Sequence, residues 1–488
     1  MPKVVNLFEF GKYSWKNSEE FRNIREKEKF SDDLEDVLDN IWKDRKKFIF
    51  SENLYYESIS LKQRYIEFNK NEIIPRNWIG SIYFRSGKDE YVLNLLPKIF
   101  YQENHSYKPE EIDSIFAHIL WWLSGSEKQS FSSMESSLGA MNSDFLEVLL
   151  YIFSSYTLEI FSANAYHYYS IINEDLDTVR GQLNFSAYIK NFAVGNKHKL
   201  NCTFDSLQYD NQFNKIVKYV CHLLKDFTKN EHTRKNLEEI LFILDEVEYE
   251  IMSVGDCDKV ILNSIYTEFR TILDNCRLFL SSLSVYKWKD DYQIFALLIP
   301  SEKLFENFIF SIIKNYAVSP VINVDRHRKG KRLFLATQSP SPVPNRFKMI
   351  NDIVVTFNDN SLILFDTKYK KIHNTNSLAG NDTYPEYNIS QSDIYQMISY
   401  AVGSGISDIG LIFPAFAEDD ISDSLPIYEI KDEFSPATII RIHIFKVNIF
   451  HNENLRMSVN GKLEEMFKKT KKHLILQLNE AISKVKSL

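Results

Sequence analysis

Cysteine, glycine and proline are all scarce in this chain of 488 residues, at 4, 14 and 13 copies. The four cysteines, Cys202, Cys221, Cys257 and Cys276, lie far apart with no C-x-x-C pair. That spacing argues against a structural zinc site and leaves buried, reduced thiols as the expectation. Few glycines and prolines beside 36 Phe and 27 Tyr disfavour disorder and predict well-packed helices and strands. The opening residues, MPKVVNLFEF, lack the long apolar core of a secretion signal. No apolar run approaches the roughly 20 residues that span a bilayer, so a cytoplasmic protein with no membrane contact is expected. There is no G-x-x-x-x-G-K-[ST] phosphate loop and no H-E-x-x-H zinc motif. Basic charge is not in excess either: the net charge of −8 excludes a surface coated in Lys and Arg, though not a local patch.

What is present suits a globular chain, 44% hydrophobic and 25% charged, long enough for two to four domains. Residues 1–70 are charged and rich in helix formers. RNIREKEKF and SDDLEDVLDNIWKDRKKF predict two helices, the second capped by Ser31. RNWIGSIYF and EYVLNLLPKI, joined by RSGKD, predict a β-hairpin. Apolar residues at three- and four-residue steps mark helices through 110–300, for example in SDFLEVLLYIFSSYTLEIF and NQFNKIVKYVCHLLKDF, with a break at RGQLNFSAYI (180–189). Pro300 precedes a helix, SEKLFENFIFSIIKNY, with Ser301 as its N-cap and Lys303 and Glu306 on its polar side. Beyond residue 350 the pattern is that of a small mixed sheet flanked by helices: strands INDIVVTF and LILFDTKYK across an NDNS turn, a helix SDIYQMISYAV capped by Ser392 or Ser390, strands DIGLIFP and IIRIHIFKVNIF, and a closing helix.

The chemically informative fragment is Asp352 … Asp366-Thr367-Lys368. Asp352 opens the first strand of the hairpin, and the alternation in FDTK puts Asp366 and Lys368 on one face at the end of the second. Two carboxylates about 4 Å apart repel by roughly 4 kcal/mol at an effective dielectric near 20. A hard divalent cation, Mg²⁺ or Mn²⁺, relieves that repulsion and favours oxygen ligands. We therefore expect Asp352 and Asp366, with the Thr367 carbonyl, to hold such a cation, and Lys368 to orient a water and stabilise developing phosphate charge. The tripeptide D-x-K alone is common by chance, and a surface strand pair would account for it. Between Asp325 and Lys371 ten basic residues face four acids, a local +6 that suits a phosphate backbone. Arg326, Arg328, Lys329, Lys331, Arg332 and Lys370 are the expected DNA contacts.

NDIVVTF…LILFDTKYK…SDIYQMISYA resembles the nuclease core of the McrC-like family, the cleavage subunits of modification-dependent restriction systems, whose catalytic domain is of the PD-(D/E)XK type. NWIGSIYF…VLNLLPKIF, RGQLNF and LLIPSEKLFENFIF resemble further stretches of the family in the same order, over roughly residues 76–415. The resemblance implies that Asp352, Asp366 and Lys368 are the catalytic set, that Glu306 assists the metal, and that Gln396 and Tyr400 are the helix pair beside the site. Asn351 departs from the family, which usually has Pro there. The fold implied is multidomain α+β: an N-terminal region with a β-hairpin that docks a partner (1–110), a helical middle (111–299), a PD-(D/E)XK nuclease core (300–450) and a C-terminal helix (451–488). The implied activity is metal-dependent endonucleolytic cleavage of double-stranded DNA in anti-phage defence. It would be coupled to a McrB-like AAA+ GTPase or ATPase, with two nuclease domains paired in the complex. An adaptor with lost nuclease activity and a stand-alone repair nuclease are the competing readings.

Overall fold

A computed structural model describes residues 2–48, 63–103, 105–125, 145–262, 267–287, 293–326, 334–338, 343–348, 351–373, 387–417, 425–431, 439–450 and 463–486. In chain order the first elements are β1 (Lys3–Phe8), β2 (Tyr13–Ser14), α1 (Lys27–Phe48), β3 (Ile66–Phe68), β4 (Glu72–Pro75), β5 (Trp78–Ser86), β6 (Asp89–Leu96) and α2 (Pro109–Gly125). There follow α3 (Phe145–Ala163), β7 (Tyr168–Leu176), β8 (Gln182–Leu183), α4 (Phe185–Ala193), β9 (Leu200–Gln208), α5 (Gln212–Lys225), α6 (Glu231–Ile243), α7 (Val254–Lys259) and α8 (Thr267–Ser282). The last third holds β10 (Leu283–Lys287), β11 (Gln293–Pro300), α9 (Ser301–Tyr316), β12 (Val321–Asp325), β13 (Phe334–Gln338), β14 (Val343–Lys348), β15 (Ile353–Phe357), β16 (Leu362–Thr367), α10 (Gln391–Ser404), β17 (Asp408–Pro414), β18 (Ile427–Lys431), β19 (Ile439–Val447) and α11 (Leu463–Lys486).

The chain divides into two compact units, one of residues 1–43, 57–145 and 284–488, the other of 44–56 and 146–283. The first contains two large sheets. The N-terminal sheet runs β1-β6-β5-β11-β10, and the expected hairpin is its β5–β6 pair, turning at Gly87 with φ 60°. Phe30, Leu34, Val37, Leu38 and Ile41 of α1 recur at helical spacing and are buried with Ile82, Phe84, Leu93 and Leu298 in one core. This stripe is continuous through Ser31, so a single helix from Lys27 replaces the two that were expected. Ser31 lies inside it and does not cap it. The second unit packs α3, α5, α6 and α8 around Phe153, Phe213, Ile216, Leu237 and Phe279, and carries the three-stranded sheet β7-β9-β8. RGQLNF forms β8 and the Asn184 cap of α4.

The expected helical segment 111–299 is thus divided differently. Residues 284–300 belong to the first unit, because β11 pairs antiparallel with β5 more than two hundred residues upstream. The four cysteines are free and buried, as expected. Contrary to the expectation from sequence, α3 is long and apolar enough to cross a membrane by length and composition; half of its apolar window is buried within the protein.

The second sheet of the first unit runs β12-β15-β16-β17-β19-β18, with β16–β17 and β17–β19 parallel and the remaining pairs antiparallel. Leu364, Ile409, Leu411, Phe413, Ile442 and Ile444 pack with Met397, Tyr400 and Ala401 of α10. α10 is capped by the Ser390 side chain, which accepts from the Asp393 amide at 3.3 Å, and ends at Gly405 in the left-handed conformation. α11 lies against β16, β17 and β19.

Gly80 is where β5 meets β11 most tightly: φ is 142°, and a Cβ there would stand 1.9 Å from the Leu297 carbonyl oxygen. Gly80→Ala should therefore lower stability by on the order of 3 kcal/mol or more. Urea unfolding of the variant checks this, and a change within ~0.5 kcal/mol would contradict the packing described.

Candidate functional site

The β-strand period of two decides where the acids fall. Leu362 and Leu364 of β16 face α10, so Asp366, two residues on, takes the same face at the strand's C-terminal end. β15 pairs with β16 in the register Ile353↔Phe365, and one further step brings Asp352 opposite Asp366. Directly opposed like charges weaken a strand pair. The arrangement is held by local hydrogen bonds: Asp352 Oδ2 accepts from both the amide and the hydroxyl of Thr367, each at 2.9 Å.

Asp366 is 2% exposed. Burial and the charge of Asp352 raise its carboxyl to about 7, against the opposing pull of Lys368. Lys368 Nζ stands 2.7 Å from Asp366 Oδ2, yet that oxygen is buried without a well-formed hydrogen bond among the described residues. Burial disfavours the Lys368 ammonium, but Asp366, Asp393 and Asp352 outweigh it, and the net shift is upward. Lys368 Nζ also donates to Gln396 Oε1 at 2.7 Å, and Gln396 Nε2 donates to the Tyr400 hydroxyl at 2.7 Å. Burial, then Asp366, pushes the Tyr400 phenol up. The structure therefore joins Asp366, Lys368, Gln396 and Tyr400 in one chain of contacts.

Glu306 projects from the second turn of α9. Burial and Asp352 raise its carboxyl, and Lys303 and Arg326 draw it back down. Lys303 pairs with it at 2.5 Å, while Arg326 is 4.0 Å away, donates to Asn307 and stacks 4.6 Å from the Phe310 ring. Lys370 is paired with buried Asp393 at 2.9 Å. Arg328, Lys329, Lys331 and Arg332 lie outside the described residues. Asn351 is buried, and its Oδ1 has no hydrogen-bond partner among the described residues. Two residues of this site were not singled out from sequence. Asp393 is one; the S-x-x-D spacing from Ser390 was the available signal. The other is the side chain of Thr367, which clamps Asp352.

Two opposed carboxylates, one of them buried with its Oδ2 facing the Lys368 ammonium, form a hard oxygen donor set that a divalent cation fits. Among the described residues no group of three or more His, Cys, Asp or Glu side chains is close enough to hold a metal alone. The remaining ligands would be a carbonyl, water or substrate.

A family model described as McrBC 5-methylcytosine restriction system component matches residues 73–414. The chain belongs to this McrBC family. The match takes in the N-terminal hairpin, residues 146–283 of the second unit and the strand pair that carries the acids. No curated protein matches the chain. Among solved structures, a chain of the tetradecameric assembly of Thermococcus gammatolerans McrB AAA+ hexamers with bound McrC aligns over 98% of this chain and 100% of its own, at 17% identity and a TM-score of 0.53. That likeness is one of fold: mixed α and β, multidomain, with several sheets. A chain of the Thermococcus gammatolerans McrBC complex aligns over 64% of this chain and 87% of its own, at 18% identity and a TM-score of 0.45.

The raised carboxyl of Asp366 makes a stability test. Between about pH 4 and 7 the folded protein keeps a proton that the unfolded chain has released, so this residue's burial is harmless below about pH 4, costs stability progressively as pH rises from 4 to 7, and costs its full amount above 7. Asp366→Asn should stabilise the metal-free protein at pH 8 by about 1 kcal/mol or more, less than the full shift because Lys368 loses its partner. At pH 5 the gain should be clearly smaller, and it should vanish only below about pH 4. Thermal unfolding with chelator at both pH values decides, and a gain that does not depend on pH would contradict the burial of a charged carboxylate.

Proposed function

We propose that this McrBC-family chain is the DNA-cleaving subunit of its system, a divalent-metal-dependent endonuclease of the PD-(D/E)XK type. The observation that carries the reading is the opposition of Asp352 and Asp366 across β15–β16, with Lys368 ion-paired to the buried Asp366. Asp352, Asp366 and the Thr367 carbonyl would hold Mg²⁺ or Mn²⁺, which when bound neutralises phosphate charge and acidifies water. Thr367 fixes one oxygen of Asp352, leaving its other lone pairs for a ligand. Lys368, held by Gln396, presents an ammonium where charge develops on the scissile phosphate. Tyr400 holds Gln396 in turn, and Glu306 adds negative charge from α9. Arg326 and Lys370 stand nearby as phosphate contacts, although each already has a partner within the protein.

The partner we infer is a McrB-like AAA+ NTPase, since the solved assembly of similar fold is one of McrB AAA+ hexamers with bound McrC. A specific observation favours docking through the second unit, where sequence reading had put it in residues 1–110. Tyr169, Ile171, Phe185, Ile189 and Val194 of the β7–α4–β9 region are each more than 60% exposed, an apolar set that suits a protein surface. The chain would then cut DNA and stimulate the ring. Two copies would be needed for a double-strand break, because each Asp352–Asp366 centre attacks one strand at a time.

The test is DNA cleavage by the chain with its AAA+ partner and nucleotide. Cutting should require Mg²⁺ or Mn²⁺ and stop with excess chelator. Asp366→Ala should lower it by about 10³-fold or more while the partner's NTPase stimulation persists. Cleavage that survives chelation would exclude the mechanism. Loss of NTPase stimulation in parallel with cleavage would favour the adaptor reading.

A further inference from the structure

Among the described residues the deepest acid in the N-terminal part of the first unit is Glu9, 1% exposed and just past the end of β1. Its two oxygens are both engaged. Oε1 accepts from the Ser301 hydroxyl at 2.5 Å, and Oε2 accepts from the Lys98 amide at 3.1 Å. Its own amide donates to the Leu96 carbonyl at 2.9 Å, so the backbone is tied to β6. The Lys98 ammonium lies between two rings, 4.6 Å from the centroid of Phe10 and 4.6 Å from that of Tyr369. Among the described residues the buried Tyr369 hydroxyl has no well-formed hydrogen bond, and burial and Glu9 together raise its phenol. Burial pushes Glu9 itself up to about 7, against the pull of Lys98. Next to it, Phe10 holds a left-handed φ of 61°, a conformation that costs a non-glycine residue about 1 kcal/mol or more.

A buried carboxyl beside a strained residue is expensive, and an apolar side chain would fill the same space at lower cost. What the carboxyl adds is a set of attachments. Ser301 is the first residue of α9, the helix that carries Glu306 five residues later. Its amide is also held by the Asn77 carbonyl at 3.2 Å, and Asn77 Nδ2 donates to Glu302 at 3.0 Å. Tyr369 directly follows Lys368 and packs 5.8 Å from Phe305 of α9. Glu9 thus meets α9 directly through Ser301 and reaches the Lys368–Tyr369 segment through Lys98, whose ammonium lies over the Tyr369 ring.

We propose that Glu9 is a positioning residue for the Asp352–Asp366 centre: through Ser301 and through Lys98 it sets α9 and the Lys368–Tyr369 segment in register with the N-terminal sheet, which makes this sheet part of the cleavage unit. The proposal rests on the nuclease reading for its catalytic consequence and on the contacts alone for its mechanical one, and the two are tested separately. The full chain with its AAA+ partner is assayed at pH 8, where Glu9 is ionised, as wild type, Glu9→Gln, Glu9→Ala and Ser301→Ala. Glu9→Ala should lower kcat about tenfold or more with KM for DNA unchanged within about twofold, because a misplaced lysine affects the reaction and not encounter. Glu9→Gln, which keeps an acceptor for Ser301, should recover at least about half of the loss on a logarithmic scale. Ser301→Ala removes one attachment without a buried charge and covers the case in which Glu9→Ala does not fold.

Hydrogen–deuterium exchange of the same proteins supplies the second readout. Exchange should rise in 301–306 and 367–371 and stay unchanged in 391–404 and in the second unit. A kcat within twofold of wild type in a folded Glu9→Ala or Ser301→Ala protein would overturn the proposal, as would unchanged exchange in the two segments. If wild type itself does not cut DNA, the nuclease reading fails and the exchange result alone decides the coupling.

Discussion

The burial of one carboxylate directly across a strand pair from another is the constraint on which the rest of this site depends. Asp366 sits where the leucines of β16 have already committed that face to α10, so it cannot turn to water. Its charge must be met by Lys368, by a bound cation or by a proton. Everything around it is arranged on that condition. Thr367 pins Asp352 with two hydrogen bonds, Gln396 takes the second contact of Lys368, and Tyr400 orients Gln396. Removing any partner from such a network leaves another buried polar group unsatisfied, which is why its parts act together.

The two sheets of the first unit share this task. β11 belongs to the N-terminal sheet through its pairing with β5, and it runs without a break into α9 at Pro300–Ser301. The helix carrying Glu306 is therefore an extension of the sheet that holds the N-terminal hairpin. The N-terminal hairpin and the Asp352–Asp366 centre are thus parts of one compact unit. The second unit, with its exposed aromatic and aliphatic residues on β7 and α4, is the better candidate for a surface held in reserve for another protein.

Much of the site was legible in the sequence, because its logic is local. The hairpin INDIVVTF–NDNS–LILFDTK is a period-two pattern across a short turn, and from it the opposition of Asp352 and Asp366 and the shared face of Lys368 follow directly. What escaped was non-local. Ser301 has the position of an N-cap, but its hydroxyl goes to Glu9, 292 residues away, and Pro300 takes the cap position. No local rule finds that partner. Ser31 looked like a helix start because acids follow it, yet the apolar stripe from Phe30 to Ile41 carries the helix through it. The strand QIFALLIP was read as part of a helical stretch because short apolar runs have no decisive period, and only its pairing with β5 resolves it. Lys370, counted as a free cation for DNA, is paired to Asp393, a residue whose burial depends on how α10 packs.

The claim that Asp352 and Asp366 together form a divalent-cation site is tested most directly by titrating Mn²⁺ into the protein and reading bound metal by electron paramagnetic resonance. Wild type should bind Mn²⁺, Mg²⁺ should displace it, and both Asp352→Asn and Asp366→Asn should weaken binding by about tenfold or more. Lys368→Met should leave binding intact or strengthen it while abolishing cleavage, since it removes a competing cation and not a ligand. Mn²⁺ affinity indifferent to both aspartates would contradict the account.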